Sequence, residues 1–240
     1  KVDLPVLPLL ISLLTPAAQA QGVNAHGLHL APDAGDTRTP TLVRTPLRVE
    51  ANDYGLQLLG EYAYGLVLQA RQTAVDAPID RRPLLKDVWA ANLGAHAAVH
   101  RHGYLDVHIP MYLAASGANN AKDTGLLGDI RLAATAVGLR APSEGGWAVA
   151  GHTWLDLPTG DAGAFLGSSG VGGGLGASAS WSTSSLLVSS EVGLGFRPTL
   201  DQDNLTGSDT IVLGAGVGGV VSDRTSLTAE LRAELPWREA

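Results

Sequence analysis

Only 16% of the 240 residues are charged, the net charge is −7, glycine numbers 30 and cysteine is absent. The acidic balance excludes the basic surface that nucleic acid requires, and the lack of cysteine excludes a disulfide framework and thiolate metal sites. A charged fraction below the about 25% of ordinary soluble domains leaves little with which to solubilise a large surface.

The chain begins with the apolar stretch "LPVLPLLISLLTPAAQA", which ends in Ala18-Gln19-Ala20. That small-x-small ending after an apolar run predicts a signal peptide over 1–20, cleaved after Ala20, and hence an exported protein. Residues 21–53 are rich in Gly, Pro, Asp and Thr without a period. They read as an irregular N-terminal segment, periplasmic in the reading developed below. No later apolar run reaches the about 18 residues of a membrane-spanning helix.

From Tyr54 the character changes to segments in which apolar and polar residues alternate, the mark of strands whose successive side chains point to opposite faces. The segments fall at 54–70, 86–101, 100–117, 128–139, 147–157, 171–182, 186–197, 210–221 and 226–237. In "HRHGYLDVHIPMYLAASG" (100–117), Leu105, Val107, Ile109, Met111 and Leu113 alternate with Tyr104, Asp106, His108, Pro110 and Tyr112. Long connections near 71–85, 114–126, 158–170 and 198–209 alternate with short ones at 102–103, 141–146, 183–185 and 222–225. This predicts an all-β, antiparallel, up-and-down transmembrane β-barrel over 54–240.

Two stacked sheets would also alternate, with the apolar side inward. Three features favour lipid. The polar faces consist of Gly, Ser, Ala and His rather than the Lys that keeps soluble sheets apart. Trp89, Trp147, Trp181 and Trp237 lie on the apolar face at segment ends, and with Phe196 they form two interface girdles; Trp154 alone of the five tryptophans points inward. No charge interrupts the apolar face between the girdles, where an Arg or Lys would cost about 2–4 kcal/mol.

The inward sets gather His96, His100, Asp106, His108, Asp129, Arg131, His152, Glu191, Glu230, Arg232 and Glu234 as polar residues facing the lumen. These charges either pair across the interior, because ions removed from water need partners, or line a water-filled path. A paired interior is favoured at a narrow bore. No Ser-x-Gly elbow or His-Glu-x-x-His motif accompanies the histidines. No catalytic residue, cofactor or metal is therefore expected, and the chain does not read as an enzyme. "GSSGVGGGLG" (167–176) lacks the Lys-Ser/Thr and helix of a phosphate loop; its inward glycines read as room for a bulky residue such as Trp154 or Tyr112. "DQDNLTGSDT" (201–210) lacks the Glu and spacing of a Ca²⁺ loop and reads as a solvated external loop.

The stretches "NDYGLQLLGEYA", "GYLDVHIPMYLAASG", "LGDIRLAATAVGL" and "HTWLDLPTGDAGAFLG" follow one another in an order that resembles the β-barrel part of OmpA-family outer-membrane proteins, particularly the larger barrels of myxobacteria and related Gram-negative bacteria. "LGDIRL" and "LPTGD" are the most distinctive. The resemblance runs from about residue 50 to the end and implies a porin-like location in the outer membrane. Such proteins often carry a C-terminal peptidoglycan-binding domain, which nothing here matches, so peptidoglycan would be a partner only through a domain further downstream. Bacterial single-chain barrels have an even number of strands, so about nine strands imply a barrel incomplete at its C-terminus, with about ten to twelve in the whole protein. The expected function is a structural outer-membrane component in contact with lipid, compatible with passive diffusion of small solutes. A substrate-specific channel and a lipid-modifying barrel enzyme are the alternatives.

Overall fold

The computed structural model describes residues 30–32, 38–40, 42–46, 49–71, 80–116, 122–142, 144–160, 166–168, 170–197, 209–222 and 225–237; within 64–71, 80–86 and 122–126 it describes the backbone alone. The predicted signal peptide and most of the acidic loop at 201–210 lie outside these residues.

Alternation produces strands throughout: β1 (Tyr54–Arg71), β2 (Asp80–His100), β3 (Gly103–Ser116), β4 (Lys122–Leu127), β5 (Ile130–Leu139), β6 (Gly146–Leu157), β7 (Gly172–Ser182), β8 (Leu186–Phe196), β9 (Thr210–Ser222) and β10 (Thr225–Pro236). No helix occurs among the described residues. Each strand pairs antiparallel with the next in a single sheet that curls into a half-barrel, and β4 and β5 are two parts of one strand, both paired to β3. The predicted set of nine up-and-down strands is thus observed.

Two differences have physical causes. β2 begins at Asp80 rather than near Lys86, so Trp89 sits part-way along it instead of at its start. The extra residues include Pro83, which argues against a central strand. Among the described residues, pairing to β3 starts at Asp87 opposite Ser116, the last residue of β3, so Pro83 lies before that ladder, where a proline is tolerated. The second difference is the break between β4 and β5. The Gly128 N–H donates to the Pro110 carbonyl (2.8 Å), so Pro110 turns its hydrogen-bonding side toward that strand, and that side carries no N–H. Opposite Pro110 the ladder breaks, and Gly128 and Asp129 fall between Leu127, paired with Met111, and Arg131, paired with His108.

The convex face carries the exposed large apolar side chains, among them Leu105, Leu132, Val149, Leu175, Val192, Leu213 and Leu231. The concave face is filled. Trp154 packs there with Ala133 and Val212, and the glycines opposite give its indole room. A Cβ on Gly174 would run into the Trp154 ring and the Leu194 carbonyl, one on Gly193 would lie 3.2 Å from the same ring, and one on Gly176 would lie 2.6 Å from His152 Nε2. Near the short turns, Tyr104, Val137, Ala98 and Ala150 enclose Val49 from the N-terminal segment.

β1 and β10 are the two edges of the sheet. Both run from the short-turn end toward the long-loop end, so direct pairing between them would be parallel.

Overpacking costs about 1–3 kcal/mol in a filled interior. Gly174→Ala is therefore expected to lower the unfolding free energy, measured by denaturant titration, by an amount in that range. Gly60→Ala, which meets nothing within 4 Å, should leave it unchanged in the same equilibrium titration.

Candidate functional site

The concave face is where the polar chemistry collects. His96, Asp106, His108, Asp129, Arg131, His152 and Glu191 are all buried there. Because charge removed from water needs a partner, most of these groups are tied to a neighbour across the strands. Arg131 on β5 holds Asp156 on β6 through two hydrogen bonds, Nε to Oδ1 at 2.6 Å and Nη2 to Oδ2 at 2.8 Å, and its guanidinium lies 5.2 Å from the Trp154 ring centre. On the β8–β10 side, Glu234 accepts from Arg197 and is ion-paired with Arg232 at 3.1 Å. His152 Nε2 lies 3.3 Å from Glu191 Oε1, and His108 Nε2 lies 3.1 Å from Asn92 Oδ1.

The residue that joins these walls is Arg44, which belongs to the N-terminal segment rather than to a strand. Its guanidinium donates twice to Asp106, Nη1 to Oδ2 at 3.0 Å and Nη2 to Oδ1 at 2.6 Å, and once to Thr135 Oγ1 at 3.3 Å. Its backbone N–H donates to Glu191 Oε2 at 3.0 Å. Burial pulls the Arg44 pKa down; Asp106 together with Tyr104 and Glu191 outweighs it and raises the value above its ordinary level. Next to it, the N–H groups of Leu42 and Val43 both donate to Glu230 Oε2, at 2.6 and 3.3 Å. One short segment therefore satisfies carboxylates on β3, β8 and β10.

Asp129 is buried but serves a different purpose. Freed from the ladder by the break opposite Pro110, it accepts from the Gly160 N–H (3.1 Å) and from the N–H and hydroxyl of Ser168. Thr159 completes the clamp, donating to the Gly128 carbonyl at 2.6 Å and accepting from the Ile130 N–H at 3.0 Å. The two most distinctive sequence motifs, "LGDIRL" and "LPTGD", thus meet in one set of contacts that folds the β6–β7 connection onto the rim.

His100 stands apart from the other histidines. It is exposed at the β2–β3 turn, where it stacks against His102 at 5.6 Å between ring centres. The irregularity in the ladder between Ala98 and His100 takes it off the alternation followed by His96. Trp89, Trp147, Trp181, Phe196 and Trp237 are exposed on the convex side. Trp147 and Trp181 are directly paired near the short turns, and Trp89 lies 4.7 Å from the Tyr62 ring toward the other end. Among the described residues no group of three or more His, Asp or Glu is placed to hold a metal ion.

Comparison with protein-family models, with curated proteins and with solved structures gives no match.

Arg44 escaped the sequence reading because 21–53 has no period from which to infer a face. A signal for it existed in β9. Gly214, Gly216 and Gly218 share the concave face, and three glycines in a row on one face mark a close approach. Cβ atoms there would lie 3.2 Å from Val43 and 2.5 Å from Pro40, and at Gly218 would strike the Arg38 carbonyl.

Removing one partner of a buried ion pair costs about 3–5 kcal/mol, whereas replacing both by apolar groups is often near neutral. Asp106→Ala is expected to destabilise by up to that amount, limited by the energy needed to undock the segment. The double variant Arg44→Leu with Asp106→Leu should recover most of the loss, as a double-mutant cycle in denaturant would show. Asp129→Ala should speed amide exchange at Gly160 and Ser168 by at least about tenfold and lower global stability by a similar free energy, because each loses a hydrogen bond whose net worth is about 1.5–3 kcal/mol when the acceptor is charged.

Proposed function

We propose that this chain is an outer-membrane β-barrel protein that serves as a structural membrane component with a largely sealed interior. The observation that carries the reading is the convex face. Its exposed side chains are mostly Leu, Val and Ala, with the small hydroxyls of Thr153 and Ser190 among them and no Lys, Arg, Asp or Glu, between Trp147 and Trp181 near one end and Phe196 and Trp89 toward the other. Such a continuous apolar surface, rare on soluble monomers, fits a band of acyl chains bounded by two belts of interfacial aromatics.

The interior supports a structural role over a wide pore. Between the N-terminal segment and the wall, the cavity lined by Leu42, Arg44, Arg131, Trp154, Glu191 and Arg232 measures about 10 Å³, room for about one water. A bilayer leaves no backbone group unpaired. The free edges of β1 and β10 must then be covered, and since both run the same way, antiparallel closure takes an odd number of further strands. The order of the motifs that resembles the OmpA family, and the signal-peptide pattern at 1–20, agree with export to the outer membrane.

Val192 lies mid-way along β8 and Val188 lies beside Trp181. Val192→Arg should cost about 2–4 kcal/mol of stability in lipid bilayers and Val188→Arg about 0–1 kcal/mol, following the depth dependence of charge in hydrocarbon. Lipids brominated along the acyl chain should quench Trp89, Trp147, Trp181 and Trp237 but spare Trp154. A mature chain that stays monodisperse in buffer without detergent, or equal costs for the two arginines, would refute the proposal.

A further inference from the structure

The proposal rests on the barrel reading and goes beyond it. Residues 38–40 and 42–46 enter the concave face from the short-turn end, where the Arg38 guanidinium donates to the Thr183 carbonyl. They climb along the glycine row of β9 to Glu230 and Glu191, cross to Asp106, and descend past Tyr104, whose hydroxyl donates to the Thr45 carbonyl at 3.5 Å. Val43, Arg44, Thr45 and Pro46 are all buried. Yet none of these residues is in a strand. Their polar attachments to the wall run chiefly through the side chains of Asp106, Thr135, Glu191 and Glu230. Withdrawing the segment would break no rung of the sheet. The interior is therefore held in two separable layers, a hydrogen-bonded wall and an inserted filler.

We infer that residues 38–40 and 42–46 form a displaceable plug, and that its release opens a cation-selective path through the barrel. The selectivity follows from which charges the plug neutralises. Asp106 would lose both guanidinium bonds, Glu191 its backbone donor, and Glu230 two backbone donors. The wall's own cations stay engaged, Arg131 with Asp156 and Arg197 and Arg232 with Glu234. The charge uncovered along the vacated path is therefore negative, and a field of one sign in a narrow passage concentrates the opposite ion. The glycine row makes the seat specific: side chains at 214, 216 and 218 would occupy the space the plug fills.

Two variants unseat the plug from opposite sides. Arg44→Ala removes its clamp, and Gly216→Val fills its seat. In detergent, trypsin should cleave the full-length protein after Arg38 about tenfold faster in either variant than in the unaltered protein. In planar bilayers with a KCl gradient, both variants should raise the open fraction by about tenfold, the shift expected from losing one charge-assisted clamp, with a reversal potential displaced toward that of K⁺. Adding Asp106→Asn to Arg44→Ala should weaken the cation preference while the path stays open. Heat-dependent migration in gels establishes that each variant is folded and inserted, and Arg44→Ala carries the test if Gly216→Val does not fold. Inserted variants that conduct no more than the unaltered protein, or that prefer Cl⁻, overturn the inference. Failure of the unaltered protein to enter bilayers overturns the barrel reading itself, and the proteolysis result then still decides whether the segment is seated.

Discussion

Because successive side chains of a strand point to opposite faces, a single sheet paired from β1 to β10 divides its strands into two populations of side chains. Leu, Val, Ala and the outer tryptophans go to the convex side, while Gly, Ser, His and the charged residues go to the concave side. A slip of one residue in any strand would exchange its two faces, placing Glu191 among Val188, Val192 and Leu194 or driving Leu132 against Asp106. The register is protected from such slips by both faces at once, since each would be penalised.

The concave side then poses a packing problem. A curled sheet brings side chains from distant strands together, and bulky groups can fit only where facing positions are empty. Trp154 on β6 occupies the space left by Gly174 and Gly193, and the N-terminal segment occupies the space left by Gly214, Gly216 and Gly218. Charge follows the same logic. The strand carboxylates Asp106, Glu191 and Glu230 find donors on a segment far away in sequence, because the strands beside them offer mostly small polar groups.

A single proline shapes the rim. Pro110 lacks the N–H that the β4–β5 strand would accept, the ladder opens at Gly128–Asp129, and the released Asp129 collects Gly160 and Ser168. One missing donor in β3 thereby fixes a connection that begins beyond the end of β6.

Strand number, direction and facing were legible in the chain because each depends on residues two apart: the alternation of Leu105, Val107 and Ile109 with Asp106 and His108 can be read without knowing any partner. The exposure of His100 was not legible, since an irregularity in the β2–β3 ladder, invisible in composition, takes it off the alternation. Nor was the length of β2, whose early residues owe their strand form to pairing with β1. The inner contacts of Arg44 lay furthest from view. They join residues separated by 62 and 147 positions, and no local period encodes such a distance. Local alternation determined which residues belong to which face; only the curling of the sheet decided which of them would meet.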